Sequence, residues 1–190
     1  MNRSMALPTL EGSQFSLRPF RSQDEESLQV VLDDERVARK VSHIPLPYTR
    51  EHAHAWVTRC ESVVTPASKR VDFVIDVGGE VAGSMAFINI DDHKAQVSYW
   101  ISPAYWGKGI ATEALQMLLH FGFVELGLVR IYAYVYEQNK ASARVLEKAG
   151  FRYEGTLRKE WHKYFDDEDH YYDSRHYAIV DDEYLGKEQE

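Results

Sequence analysis

Apolar and polar positions follow two different periods along this chain, and the changes of period mark its elements. Gln14 to Phe20 (QFSLRPF) alternates with period two and carries Pro19 near its end, which predicts an edge strand. Ser22-Gln23-Asp24-Glu25 has the form of a capping box, so a helix is expected from Ser22 through Val30 and Leu32. Thr49 caps a second amphipathic run through Trp56, Val57 and Cys60. Val71 to Val77 and Glu80 to Ile90 flank Gly78-Gly79, a two-residue hairpin signal. Asp91, Asp92 and His93 supply the next turn, and Lys94 to Ile101 completes a meander of three strands.

From Ile110 the period lengthens. Ile110, Ala114, Met117, Leu118, Phe121 and Val124 recur at steps of three and four, with apolar residues between them, which predicts a helix buried on most sides and ended by Gly127. Arg130 to Tyr136 (RIYAYVY) reads as a strand. Asn139 caps a short helix with an apolar stripe of Ala141, Val145 and Ala149, and Gly150 ends it. Two further strands are expected near Arg152 to Leu157 and Tyr171 to Val180. The resulting order, β-α-α-β-β-β-α-β-α-β-β, fits an α/β (α+β) domain with helices on a mixed, mostly antiparallel sheet. One domain is expected over residues 1–190, with its core at about 14–181.

Composition narrows the class. With 44% hydrophobic and 27% charged residues, the chain is neither disordered nor collagen-like. Cys60 is the single cysteine, so no internal disulfide forms, and no Cys/His cluster has zinc spacing. Met1 to Gly12 lacks the apolar core of a signal peptide, and no apolar run reaches the roughly 18 residues of a membrane span. A cytoplasmic protein that binds neither membrane nor metal is the expectation. The net charge of −8 lies wholly after Lys159: Glu160 to Glu190 holds 11 acidic and 3 basic residues. No basic patch speaks for nucleic acid. The acidic stretch either attracts a cationic acceptor or is simply a solvated surface.

The chemistry is concentrated in Tyr99-Trp100-Ile101-Ser102-Pro103-Ala104-Tyr105-Trp106-Gly107-Lys108-Gly109-Ile110-Ala111-Thr112. A strand enters a glycine turn that opens a helix. The amides of Ile110, Ala111 and Thr112, with the helix dipole, form an anion site suited to a pyrophosphate, and Gly107 and Gly109 let it approach the backbone. Lys108 adds a positive charge. The spacing matches neither G-x-x-x-x-G-K-[ST] nor G-x-G-x-x-G, and two glycines alone also fit a plain tight turn.

W-G-K-G-I-A-T-E-A after Y-W-I-S-P resembles the acyl-CoA loop of the GCN5-related N-acetyltransferases (GNAT), and is most similar to the RimJ/RimL-like branch. The run from Asn139 to Phe151 resembles the family's N-x-x-S-x-x-x-x-x-K-x-G-F segment. Leu17-Arg18-Pro19, Pro45-Leu46-Pro47-Tyr48-Thr49 and Glu154-Gly155-Thr156-Leu157-Arg158 also match in the family's order.

The resemblance implies a GNAT fold with about seven strands and about four helices. Strands Lys94–Ile101 and Arg130–Tyr136 would splay to admit the pantetheine arm of acetyl-CoA. Trp100, Ile101, Gly107, Lys108, Gly109, Ile110, Ala111, Thr112, Asn139, Ser142 and Arg144 would bind the cofactor. Lys140 and Lys148 share the face of Arg144, as phosphate ligands or as a solvated face. The reaction implied is direct attack of a primary amine on the thioester. The acceptor would be a protein or peptide α-amine; the alternatives are a small-molecule amine (antibiotic, polyamine or amino acid) or a catalytically weak CoA-binding sensor. A homodimer is the default assembly.

The chain departs from the family at two positions. The usual thiolate-protonating tyrosine is replaced by Leu146; Ser142, three after Asn139, resembles the serine that RimL-like enzymes use to hydrogen-bond the leaving thiolate, or it simply helps to cap the helix. The usual glutamate before the loop is Gln96. Glu160 is the candidate base, with His162 or a water path as alternatives and Tyr164 nearby. Asp166, Asp167, Glu168 and Asp169 are expected to border the acceptor. Trp56, Tyr105, Trp161 and Phe165 either line its site or belong to the core. Cys60 reads as a small buried residue.

Overall fold

The structure of the chain, a computed structural model, describes residues 4–41, 44–60, 62–65, 67–165 and 168–186. Its strands are β1 (Met5–Ala6), β2 (Leu10–Glu11), β3 (Ser16–Arg18), β4 (Val63–Val64), β5 (Val71–Val77), β6 (Glu80–Ile88), β7 (Lys94–Ile101), β8 (Arg130–Tyr136), β9 (Arg152–Phe165) and β10 (Glu168–Val180). Its helices are α1 (Glu25–Leu32), α2 (Glu35–Ala38), α3 (Arg50–Arg59), α4 (Ile110–His120), α5 (Lys140–Lys148) and α6 (Asp181–Leu185). Eight strands form one mixed sheet in the order β2-β3-β5-β6-β7-β8-β10-β9, and β1 pairs with β4 apart from it.

The hairpin at Gly78-Gly79 forms as the dipeptide demands, with φ of 64° and 93°. The one parallel pair of the sheet is β7 with β8, and α4 is the crossover such a pair requires. Their ladder runs only through Lys94↔Arg130, Ala95↔Ile131 and Gln96↔Tyr132. Both strands continue, to Ile101 and Tyr136, paired with their outer neighbours β6 and β10 but not with each other. The sheet therefore opens in its middle and turns backbone N–H and C=O groups toward the gap.

Two cores fix the sheet. On one side α4 buries Ile110, Ala114, Leu115, Leu118 and Leu119 among Phe73, Phe87 and Ile131. Gly122 packs so closely that a Cβ there would stand 2.6 Å from Phe87 Cζ and 2.8 Å from Ile131 Cδ1. On the other side Leu28, Leu32, Val37, Ala53 and Trp56 cover Val74, Val81 and Trp100.

Several expectations change. The strand at Gln14–Phe20 shortens to β3 and is interior, flanked by β2 and β5. The first cap is Arg21 rather than Ser22, because Asp24 is drawn inward: it accepts the Arg21 N–H at 2.8 Å and two bonds from Arg18, each 2.8 Å. A π-helical turn at Phe121–Glu125, closed by Leu126 N–H to the Phe121 carbonyl, rotates the apolar stripe of α4, so Val124 faces solvent. In α5 the fully buried residues are Ala143 and Leu146; of the expected stripe Val145 and Ala149 pack against the core, while Ala141 faces a cavity that Val145 also lines. β9 runs on to Phe165, about twice as far as expected, and β10 starts three residues early at Glu168, so the two form a long hairpin.

Candidate functional site

Two cavities open where β7 splays from β8. The larger, about 440 Å³, is bounded by the β7 end, the 105–112 loop and the exposed flank of α5. The smaller, about 220 Å³, lies between β7, β8 and Trp161 of β9. Tyr99, Asn139 and Ser142 line both, so the two meet at these side chains.

In the loop, Gly107 and Gly109 have φ of 75° and 82°. This is the left-handed region that glycine occupies without strain. Gly109 is the N-cap of α4 and so exposes the first-turn amides to the cavity. The Thr112 N–H already donates to the Gly109 carbonyl at 3.0 Å, which leaves Ile110 and Ala111 as the amides best suited to an anion. Trp106 is pinned by its indole N–H to the Ile101 carbonyl at 2.8 Å. Arg144 and Lys148 line the same cavity.

At the junction, the Asn139 side chain accepts the Ser142 N–H at 3.3 Å and caps α5. Ser142 Oγ lies 2.7 Å from the Tyr99 hydroxyl. Burial pushes the Tyr99 pKa well above the usual phenol value, and the bond with Ser142 opposes only part of that shift. Tyr99 is therefore a neutral hydrogen-bonding group at any working pH. In the smaller cavity, Asn89 Nδ2 donates to Gln96 Oε1 at 3.0 Å and fixes that amide. The walls are Tyr134, Tyr136 and Trp161, with the Tyr134 ring tilted 33° to that of His176 at a centroid distance of 4.1 Å.

A cradle of backbone amides, two flanking cations and a cleft through the sheet fit a long phosphorylated thioester entering from one side. A family description, acetyltransferase (GNAT) domain, matches residues 14–152. The chain belongs to the GNAT acetyltransferase family.

This GNAT enzyme is an acetyl-CoA-dependent acyltransferase. It is 28% identical over 154 residues to an uncharacterized N-acetyltransferase p20 of Bacillus licheniformis, covering 80% of this chain and 86% of the other. It is 35% identical over 91 residues to a spermidine N(1)-acetyltransferase of Escherichia coli K12, about half of each chain (47% and 49%). In fold it is similar to RimL, a ribosomal L7/L12 α-N-protein acetyltransferase solved with coenzyme A. There the TM-score is 0.79 at 18% identity, covering 91% of this chain and 98% of that one.

The larger cavity of the GNAT enzyme is lined by Trp100, Ile101, Gly107, Gly109, Ile110, Ala111, Thr112, Asn139, Ser142 and Arg144. Lys108 does not line it; its ammonium sits 5.0 Å over the Tyr105 ring. Glu160 is exposed on β9 and lines neither cavity. His162 is also exposed, bonded to Asp169 at 2.5 Å and stacked on Tyr171. Trp161 and Tyr105 reach the cavities, whereas Trp56 lies in the core. Asp166 and Asp167, and the side chains of Tyr164 and Phe165, lie outside the described residues. Tyr99 was missed as a site residue. Its place on the same strand face as Val97 and Ile101 gives it the pattern of a core aromatic, and only the splay of β7 from β8 gives it Ser142 as a partner.

Among the described residues no group of His, Cys, Asp and Glu is arranged to hold a metal ion. Among them, too, no helix is long and apolar enough to cross a membrane.

Proposed function

We propose that this GNAT enzyme acetylates the α-amine of a protein or peptide N-terminus, with Ser142 at the reacting centre. The observation that carries this reading is the meeting of two cavities at Tyr99, Asn139 and Ser142, one suited to acetyl-CoA and one to an amine. A neutral amine entering the smaller cavity attacks the thioester carbonyl carbon. The C–N bond forms, the C–S bond breaks, and the amine proton leaves to water. No enzyme nucleophile is needed.

Ser142 donates a hydrogen bond to the leaving thiolate. Tyr99 acts behind it: burial keeps the phenol protonated, and its hydroxyl lies 2.7 Å from Ser142 Oγ and donates to the Ser142 carbonyl at 3.2 Å, so it holds the serine at the junction of the cavities. Gln96, held by Asn89, orients the water that takes the amine proton. The exposure of Glu160 favours this water path over a glutamate base.

The choice of acceptor rests on charge. Lys40 is the one charged side chain lining the smaller cavity among the described residues, and the rest are amides, hydroxyls, apolar groups and aromatics. A second ammonium of a polyamine would meet like charge there without a carboxylate to pair it. A peptide α-amine brings neutral amides that match Asn89, Gln96 and Ser98. Acetyl-CoA turnover on short peptides with free N-termini, set against spermidine, tests this. Peptides should give the higher kcat/KM. Preference for spermidine overturns the acceptor assignment, and binding of acetyl-CoA without turnover of any amine favours a sensor.

A further inference from the structure

The long β9–β10 hairpin reaches the site through one side chain. The Lys163 ammonium, half-buried, donates to the carbonyl oxygens of Val41 at 2.7 Å, Ala38 at 3.1 Å and Arg39 at 3.3 Å. Three N–H donors meet three acceptors, so the ammonium is fully used. Those carbonyls belong to the end of α2 and the residues after it, where a helix leaves oxygens without internal partners. A cation there also opposes the negative end of the helix dipole. The same ammonium lies 5.3 Å from the centre of the Tyr136 ring, a wall of the smaller cavity. Burial alone lowers the Lys163 pKa from the ordinary lysine value, and the carbonyls favour the charged form against that cost.

What hangs from this contact is a shared wall. Lys40 and Val41 line both cavities. On the other side, the Lys40 ammonium rests 4.0 Å over the ring of Trp106, which lines the larger cavity and is tied to Ile101. The segment between α2 and the sheet is thus suspended from the hairpin at one end and seated on the cofactor loop at the other.

We propose that Lys163 is a positioning residue: it holds residues 38–41 as the common wall of the donor and acceptor cavities, so that the acceptor-side hairpin helps set the affinity for acetyl-CoA. What the cavities hold rests on the acetyl-transfer reading; the clamp itself does not. Lys163 lies outside the larger cavity, so an effect of its removal on cofactor affinity has to pass through the wall.

The test is Lys163→Met in the full chain, with Lys163→Arg as rescue and Lys159→Met as a control for charge loss on the same hairpin. Hydrogen exchange of the amides of residues 38–41 should quicken at least about tenfold as the wall loosens. Acetyl-CoA affinity by calorimetry should fall at least about fivefold, the scale of coupling between linked sites. Lys163→Arg, which keeps several N–H donors, should restore both, and Lys159→Met should change neither. If Lys163→Met does not fold, Lys163→Gln is read in the same way. A folded variant in which either the exchange or the affinity is unchanged overturns the proposal. Both readouts are taken without turnover, so failure to acetylate any amine would count against the acetyl-transfer reading alone.

Discussion

Gly109 shows how much a single residue decides here. No atom lies within 4 Å of a Cβ built on it, so the protein itself has room for a side chain; the constraint is its φ of 82°. Holding a β-branched residue in that region costs about 1–2 kcal/mol and puts its branches where the cofactor would approach. Gly109→Val should therefore fold and lose acetyl-CoA binding in calorimetry, and unchanged affinity would show that the loop is not the pyrophosphate site. Tyr99→Phe removes the hydroxyl that contacts both Oγ and the carbonyl of Ser142, and kcat should fall at least roughly fivefold, as about 1 kcal/mol implies, with acetyl-CoA affinity retained. Cys60 behaves as its burial dictates. Its pKa is pushed up to about 12, first by desolvation and then by Asp72, and its S–H donates to the Trp56 carbonyl. Iodoacetamide at pH 8 should leave it unmodified in the native chain and label it in denaturant.

At the scale of elements, much of the chain was legible. Lys94–Ile101 and Arg130–Tyr136 were delimited to the residue, because alternation and β-branched composition agree there with burial on one face. Asn139 and Thr49 cap their helices as read, since each cap bonds to an amide only three residues away. The misreadings come from distant partners. Asp24 pairs with Arg18, six residues earlier and on another element, while also accepting the Arg21 N–H, so the capping box sits one residue earlier than the local pattern suggests. The junction of Tyr99 with Ser142 spans 43 positions and depends on strand splay, which no local period encodes. The glycine loop and the Asn139 segment were legible because each is a short motif on one helix start. The smaller cavity was not, because it is assembled from the residues after α2 together with β7, β8, α5 and β9. Arg18 is the strongest of the distant ties: nearly wholly buried, it joins β3 to Asp24 and, at 2.6 Å, to Asp76 of β5. Arg18→Met leaves Asp24 buried without its partner and should cost about 3–5 kcal/mol, read as a lower urea midpoint with folding still cooperative.

In the whole molecule, three ladder pairs and the α4 core join the two halves of the sheet across β7 and β8. A ligand bound along the gap adds contacts to both halves and is absent from the unfolded chain. Acetyl-CoA at about 100 times its Kd should stabilise the fold by about 2.7 kcal/mol, and a thermal melt should shift upward accordingly, while ATP at the same concentration should leave it in place.

The junction at Tyr99, Asn139 and Ser142 also has a meaning for inhibitor chemistry. Because the two cavities share a wall and open into one another, the occupants proposed for them can be fused. A molecule that carries the coenzyme and the amine joined through a single acyl bridge would fill both cavities at once, and its two ends would then raise each other's effective concentration. Such a compound should outbind either half by about a hundredfold or more, and the choice of amine end would report the natural acceptor without the need for turnover.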